Sequence, residues 1–184
     1  MTRDLELYPG EVLEQECRPV DNPGEWDGLI GDMETVLYEH DGIGLAAPQV
    51  GETIQLFLLR LDAEKRLHEA YFNPEILDLE TEETLVEGCL SFPNIEVKID
   101  RATRVKFTAE TPAGEEVTRT VEGLQAQCVQ HEIDHLHGKT LLDNCDLTQT
   151  MRIQDKLNML ENGKIPPRDK EQQFQSPSES HVDS

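Results

Sequence analysis

Two histidines four residues apart, His131 and His135, constrain the fold of this chain more than any other feature of its sequence. Positions i and i+4 of an α-helix lie one turn apart on the same face, so a helix brings the two imidazoles together. Such a pair can bind one metal ion, with the intervening Glu132 close to the water on that ion. We therefore predict a helix over residues 122–137, ended by Gly138, that carries a metal site.

A catalytic metal site needs a third protein ligand and one open position. Downstream of the histidine pair, the position at which one HExxH pattern carries a third histidine is Leu141, and Glu161 stands at the end of a predicted helix. His137 points about 200° around the helix from His135, so all three positions are poor sources of a ligand. Upstream, Cys89 follows a glycine where a strand meets a turn, and in this context its thiolate can point outward. We favour Cys89 as the ligand over the alternative of a small buried core residue.

The balance of charge limits the partners of the chain. Lysine and arginine number 16 and aspartate and glutamate number 38 among 184 residues, which leaves a net charge of −22. Sequence-independent nucleic-acid binding needs a cationic surface, so no DNA partner is expected. The negative net charge also disfavours binding to anionic lipid. No stretch approaches the ~20 apolar residues of a membrane span, and the N-terminal residues lack the apolar part of a secretory signal. The four cysteines are widely spaced without a CxxC pair, and the expected compartment is the cytoplasm, where thiols stay reduced.

Hydrophobic periodicity predicts one helix, several strands and then two further helices. The helical patterns cover residues 25–41, 122–137 and 147–162, and the strand patterns cover residues 54–61, 70–72, 103–109 and 116–121. The last two strands flank a Thr-Pro-Ala-Gly turn and form a hairpin. We predict an α+β fold with antiparallel strands around a central HExxH helix and with an N-terminal and a C-terminal helix. Residues 1–163 form one catalytic domain, and the polar residues 164–184 are expected to be a disordered tail.

Three short segments form a pattern that extends beyond the histidine pair. They are Gly42-Ile43-Gly44-Leu45-Ala46-Ala47-Pro48-Gln49, then Glu87-Gly88-Cys89-Leu90-Ser91, then Gln130-His131-Glu132-Ile133-Asp134-His135. In order and spacing they resemble the peptide deformylases, and the resemblance covers residues 7–162 approximately. It implies a metal-dependent hydrolase that removes the N-formyl group from the N-terminal formyl-methionine of nascent polypeptides.

The chemistry of such a site assigns a role to each ligand and to Glu132. Cys89, His131 and His135 would hold one divalent ion, which lowers the pKa of a bound water toward neutrality. Glu132 would accept the proton of this metal-activated water as a general base and return it to the leaving amine as a general acid. Thiolate and imidazole ligands suit Zn, Fe(II), Co and Ni alike. The resemblance favours Fe(II) as the working ion.

The resemblance also implies which groups contact the substrate. The side-chain amide of Gln49 and the backbone N–H of Leu90 would stabilise the negative charge that develops on the formyl oxygen. The backbone around Ile43 and Gly44 would pair with the extended substrate peptide as an added strand does.

An apolar pocket that includes Leu124 and Cys128 would take the methionine side chain. Gln127 departs from the family pattern, because an apolar residue is expected one turn before the first histidine. Behind the ligands, a buried Glu87 would need a partner. The resemblance points to Arg101 as that partner, and the alternative is a surface glutamate.

Two other functions stay open at this point. A general HExxH peptidase would cleave internal peptide bonds, but it lacks a good downstream ligand. A non-catalytic metal-binding domain would need a closed site, with His137 or Cys128 as its fourth ligand, and would have no use for Glu132 as a base. Asp134 either orients a ligand or faces solvent.

The segment that begins at Met151 and ends at Lys170 reverses the overall charge, with five basic residues against three acidic ones. Because the implied substrate emerges from the ribosome, transient contact with ribosomal RNA is one hypothesis for this segment. A solvated helix face is the other. In either case the implied substrate is an N-formyl-methionine peptide.

Overall fold

Five strands and three α-helices form the part of the chain that the computed structural model describes, residues 3–62 and 66–169. The strands are β1 (Gly44–Ala46), β2 (Leu56–Asp62), β3 (Leu67–Cys89), β4 (Phe92–Glu110) and β5 (Glu116–Glu122), and the helices are α1 (Asp27–Glu39), α2 (Gly123–Leu136) and α3 (Leu147–Glu161). The strands lie in the sheet in chain order, and each pairs antiparallel with the next. This arrangement confirms the predicted α+β class with an antiparallel sheet.

Helix α1 buries one face, as its periodicity predicts. Leu29, Met33, Val36 and Leu37 recur at helical spacing and are all buried. They share a hydrophobic cluster with side chains of β1 and β2. The chain leaves the helix through Asp41, which has a φ of 50°, and enters β1 directly. Helix α1 therefore positions the short edge strand that lies beside the site.

Strand β3 is much longer than the predicted strand over residues 70–72, which was expected to end at Asn73-Pro74. That boundary is wrong, because β3 continues through the proline to Cys89. A bulge makes this possible: Asn73 has a φ of 49°, and the register with β4 shifts between Phe72 and Glu75. A bulge tolerates proline because its missing N–H would have no ladder partner there.

Strands β3 and β4 form a long hairpin whose turn carries Cys89. Cys89 pairs with Phe92 across this turn, and Phe92 is fully buried. Helix α3 packs Ile153, Leu157 and Leu160 against the start of β4 in one hydrophobic cluster. The C-terminal helix therefore supports the turn from behind.

Helix α2 carries the HExxH segment and presents two different faces. Ala126, Val129 and Ile133 belong to a cluster with the aromatic side chains of β2, β3 and β4. His131 and His135 lie on the other side of the helix, as a period of 3.6 residues requires. The packing of the first face therefore sets the direction of the second.

Residues 164–169 follow α3 and are part of the described structure, with Pro166 buried. The rest of the predicted tail, residues 170–184, lies outside the described residues, as does the end of the basic segment at Lys170. Among the helices that the structure describes, none has both the length and the apolar character that a membrane span requires.

Candidate metal centre

The structure brings Cys89, His131 and His135 together at one point. Their ligand atoms all lie within 4.8 Å of one another. The Cys89 Sγ atom is 3.3 Å from Nε2 of His135, and the two imidazole rings are nearly perpendicular with centroids 4.7 Å apart. Both histidines are buried, whereas Cys89 is partly exposed. The β3–β4 turn therefore adds a sulfur donor to the two nitrogen donors of α2.

This donor set fits a divalent metal ion. A thiolate and two imidazoles are ligands shared by zinc and the neighbouring transition metals, and three protein ligands leave one position open, as in catalytic sites. Glu132 Oε2 is a buried carboxylate oxygen without a hydrogen-bond partner among the described residues. Such an atom needs a donor, and a water or substrate group at the open position would supply one.

Glu87 holds His131 in a ligating orientation. Glu87 is 5% exposed, and its Oε1 atom accepts a hydrogen bond of 2.7 Å from Nδ1 of His131. A carboxylate that accepts at Nδ1 fixes the proton there and leaves Nε2 free for a metal ion. Burial alone would raise the pKa of Glu87, but hydrogen bonds from His131 and Arg101 outweigh it and lower that pKa to about 2.

Arg101 joins Glu87 to Asp134. The guanidinium donates two hydrogen bonds to Glu87, from Nε to Oε2 at 2.9 Å and from Nη2 to Oε1 at 2.8 Å. Its Nη1 atom donates to Asp134 Oδ2 at 2.7 Å. Of the two alternatives for Asp134, a role in orienting a ligand or a place in solvent, these contacts favour the first, through Arg101 and Glu87. Asp134 completes the neutralisation of a buried cation, which in turn holds the carboxylate behind His131.

Glu132 lies in the site as a buried acid with a raised pKa. Burial raises the pKa of Glu132 to about 7. Its Oε1 atom accepts from the Cys128 thiol at 3.7 Å. A Cβ atom on Gly44 would overlap the side chains of Glu132 and Cys128. Only glycine therefore lets strand β1 approach α2 this closely.

Cys128 differs from Cys89 in its setting. It is buried, and burial together with the adjacent Glu132 carboxylate raises the pKa of its thiol well above the ordinary value. It lies outside the group of three converging donors. Because its sulfur does not converge with those three donors, the geometry does not support Cys128 as a fourth ligand.

Gln49 places its side-chain amide next to the donors. The side chain is 1% exposed, and its Oε1 atom accepts a 2.8 Å hydrogen bond from the backbone N–H of Ala46. This bond turns Nε2 toward the turn, 3.2 Å from Ser91 Oγ and 3.5 Å from Cys89 Sγ. Leu90 lies in the same turn. The amide group of Gln49 is therefore a fixed donor at the edge of the candidate metal position.

A cleft of about 890 Å³ opens onto these groups. Its walls include the substrate-contact residues that the resemblance implies, which are Ile43, Gly44, Leu124 and Cys128, together with Gln127. Leu124 is exposed on the rim at 59%. The volume lies in the range of small-molecule sites, about 300–1,000 Å³.

The alternative ligands considered from the sequence are engaged elsewhere. His137 is half exposed, and its Nδ1 atom lies 2.9 Å from a carboxylate oxygen of Glu16. Glu161 accepts a hydrogen bond of 3.0 Å from the hydroxyl of Tyr8. Neither belongs to the converging group, so the three-donor arrangement of Cys89 and the two histidines is the one that the described residues offer.

Sequence reasoning missed two contributions to the site. Ser91 is fully buried and bonded to Gln49, and its place directly after Cys89-Leu90 was the available signal. Gln127 donates from Nε2 to the Val86 carbonyl at 2.9 Å and to Glu87 Oε2 at 3.4 Å. Its departure from the apolar pattern was noted, but the partner of its amide lies 40 residues away and leaves no local signal.

Comparisons with known proteins agree on one family. Residues 2–151 match the family model described as polypeptide deformylase. The peptide deformylase of Hydrogenovibrio crunogenus is 39% identical over 153 residues, which cover 82% of this chain and 90% of that protein. The peptide deformylase of Aquifex aeolicus is 39% identical over 147 residues, covering 78% of this chain and 87% of that protein. The crystal structure of a peptide deformylase from Legionella pneumophila superposes with a TM-score of 0.82 at 34% identity, covering 88% of this chain and 96% of that one.

Proposed function

This chain belongs to the polypeptide deformylase family, and from that premise we propose that it hydrolyses N-formyl groups with a metal ion and Glu132. Enzymes of this family remove the formyl group from nascent peptides. The observation that carries the proposal is the convergence of Cys89, His131 and His135 beside the unpartnered Oε2 of Glu132 in one cleft.

Cys89, His131 and His135 would hold the metal ion. When bound, a divalent ion at this position supplies Lewis-acid activation of water for hydrolysis. The sulfur and nitrogen donors accept Fe(II), Zn, Co or Ni. Fe(II) is the ion that the family resemblance favours. The hydrogen bond from His131 to Glu87 would keep the imidazole aligned while the ion is exchanged.

Glu132 moves the proton in this proposal. Hydrolysis of a formamide breaks the C–N bond, adds water across it, and yields formate and a free amino group. Glu132, with a pKa near 7, can accept the proton of the attacking water near neutral pH. It can then return that proton to the amine nitrogen as the C–N bond breaks. Gly44 and Cys128 pack against its side chain and hold the carboxylate at the wall of the cleft.

Gln49 and Leu90 would stabilise the oxygen of the formyl group. Negative charge builds on that oxygen when water attacks the formyl carbon. The Gln49 amide is already oriented by its bond to Ala46, so it needs no rearrangement as the charge develops. Loss of one such donor typically raises the barrier by about 2.7–4 kcal/mol.

The substrate peptide would lie along the free edge of β1. This strand is at the margin of the sheet and pairs only with β2 among the described strands. Its outer edge can therefore accept an extended peptide as an added strand. Ile43 precedes that edge, and Leu124 and Cys128 would surround the methionine side chain.

The cellular location of the protein and its contact with the ribosome are part of the same proposal. An enzyme that acts on nascent chains would work in the cytoplasm. The segment from Met151 to Lys170 would then be the surface available to ribosomal RNA. Deletion of residues 163–184 combined with Arg152→Gln and Lys156→Gln should reduce co-sedimentation with ribosomes. Unchanged co-sedimentation would contradict the proposed ribosome contact.

The peptidase alternative has lost its structural basis. It required a downstream ligand, and Glu161 is bonded to Tyr8 instead of facing the histidines. The non-catalytic alternative required a fourth protein ligand, which neither His137 nor Cys128 provides.

The test is release of formate from a formyl-Met-Ala-Ser peptide by the anaerobically purified, Fe(II)-loaded protein. We expect Glu132→Gln to lose about 10²–10⁴-fold in rate with one metal ion per chain retained. Glu161→Gln is the matched control, because it neutralises a glutamate outside the site, and its rate should equal that of the wild type. A wild-type protein that binds one metal ion and releases no formate would overturn the proposal.

A further inference from the structure

The residues that follow α3 return to the catalytic cleft. The side chain of Asn94 makes two contacts with this segment, and its backbone carbonyl makes a third contact with α3. Its Nδ2 atom donates to the Pro166 carbonyl at 2.8 Å, its Oδ1 atom accepts from Arg168 Nε at 3.2 Å, and its own carbonyl accepts from Lys156 Nζ at 2.8 Å. Pro166 is buried by this packing. The segment lies beyond residues 2–151, which match the family model.

Arg168 lies on the wall of the cleft that contains the three donors. Among the described residues, it is the one lysine or arginine that lines this cleft. Its side chain is exposed, and within the described ranges no carboxylate lies at salt-bridge distance from its guanidinium. In a chain with 38 acidic residues, a guanidinium at the cleft wall without such a partner is available to a substrate.

The strand register places Asn94, to which Arg168 is bonded, beside the turn that carries Cys89. Cys89 pairs with Phe92, and Gly88 pairs with Glu96, so residues 93–95 form a bulge in between. Asn94 has a φ of 61° within that bulge. Extended peptides rise about 3.3 Å per residue. An arginine anchored to Asn94 is therefore within reach of the first few residues that follow the formyl-methionine.

We propose that Arg168 is a specificity-determining residue that favours substrates with a carboxylate among the residues directly after the formyl-methionine. This inference rests on the proposed function, because it concerns the substrate of the same site. Asn94 is the positioning residue for Arg168. Since the guanidinium is exposed, the preference should be modest, about two- to fivefold in kcat/KM.

The experiment compares C-terminally amidated formyl-Met peptides that carry Asp, Asn or Lys at the first or second position after methionine. At low ionic strength we expect the Asp/Asn ratio of kcat/KM to be about two to five for the wild type. Arg168→Gln should bring this ratio to one, and Arg168→Glu should favour the Lys peptide. High salt should reduce the wild-type ratio by screening. Lys164→Gln is the matched control, because it removes a charge from the same segment outside the cleft and should keep the ratio.

Two further arms identify the source of the carboxylate and the role of Asn94. Comparison of the free-acid and amidated forms of the Asn peptide shows whether Arg168 prefers a C-terminal carboxylate to a side-chain carboxylate. Asn94→Gly keeps the positive φ favourable but removes both side-chain contacts, so the ratio should fall toward one although Arg168 is present. Thermal unfolding of each variant verifies that it is folded.

The outcomes separate the two proposals. If the wild-type enzyme deformylates the Asn and Asp peptides equally well, this inference is overturned and the proposed function stays intact. Loss of activity on all peptides by the same factor in Arg168→Gln would assign the residue a structural role and overturn the inference as well. A metal-loaded wild type without activity on any formyl peptide would overturn the proposed function itself.

Discussion

The Oε1 atom of Glu87 lies 2.7 Å from Nδ1 of His131, so a buried carboxylate on β3 orients a candidate ligand on α2 across 44 residues of sequence. Glu87→Gln should therefore weaken metal binding about 10–100-fold. The amide can still accept a hydrogen bond, but it lacks the charge that faces Arg101. Glu83→Gln is the control, because Glu83 is exposed on the same strand. Competition of Zn²⁺ with a fluorescent chelator measures both affinities, and equal affinities would contradict the assigned role.

Arg101 should matter more to stability than Arg104, although both lie on β4. Side-chain exposure is 7% for Arg101 and 44% for Arg104, and each contacts two carboxylates. Arg101→Met leaves a buried Glu87 without its cation, and we expect a loss of about 3–5 kcal/mol in the free energy of unfolding. Arg104→Met should cost less than about 1 kcal/mol. Urea unfolding of the metal-loaded proteins tests the difference, which should disappear if Glu87 were solvated.

Gly44→Ala should impair the reaction more than it impairs stability. The added methyl group would lie 2.8 Å from Cγ of Glu132, so the carboxylate or β1 must move. A misplacement of about 1 Å can lower the rate about 10²-fold. In Gly31→Ala, on the exposed side of α1, the methyl group meets nothing within 4 Å, so this control should keep its activity and gain up to about 1 kcal/mol in stability. Similar kcat values for Gly44→Ala and the wild type would show that the approach of β1 is not required.

Gln127→Leu should sharpen the preference for methionine. Gln127 lines the cleft, and although its Nε2 atom is bonded to Val86 and Glu87, its polar end lies where a leucine would offer only carbon. Replacement by leucine should raise the kcat/KM ratio of formyl-Met to formyl-Gln peptides by about fivefold or more, because an apolar wall leaves a buried polar group unpaired. Gln125→Leu, on the same helix and outside the cleft lining, should leave the ratio unchanged. A ratio that stays the same or falls in Gln127→Leu would remove Gln127 from the pocket.

Local spacing was sufficient for the helices and for one strand pair. The i, i+4 relation of His131 and His135 is a property of a single helix, so it could be interpreted without knowledge of the rest of the chain. The hairpin of β4 and β5 was likewise signalled by alternation on both sides of a turn. By contrast, the continuation of β3 past Pro74 depends on a bulge, which the sequence pattern did not distinguish from the end of a strand.

The sequence by itself determined the family pattern and the face of α2 that carries the histidines. It also identified Cys89 as the best upstream candidate for the third donor. Only the tertiary structure decided which groups surround them. Arg101 bonds to Asp134, which lies 33 positions further along the chain. Arg168 returns to the cleft through its bond to Asn94, which lies 74 positions earlier. Contacts at such separations depend on how β3, β4 and α3 pack together. Hydrophobic periodicity reports the faces of single elements, so it carries no information about the partner that each polar side chain finds.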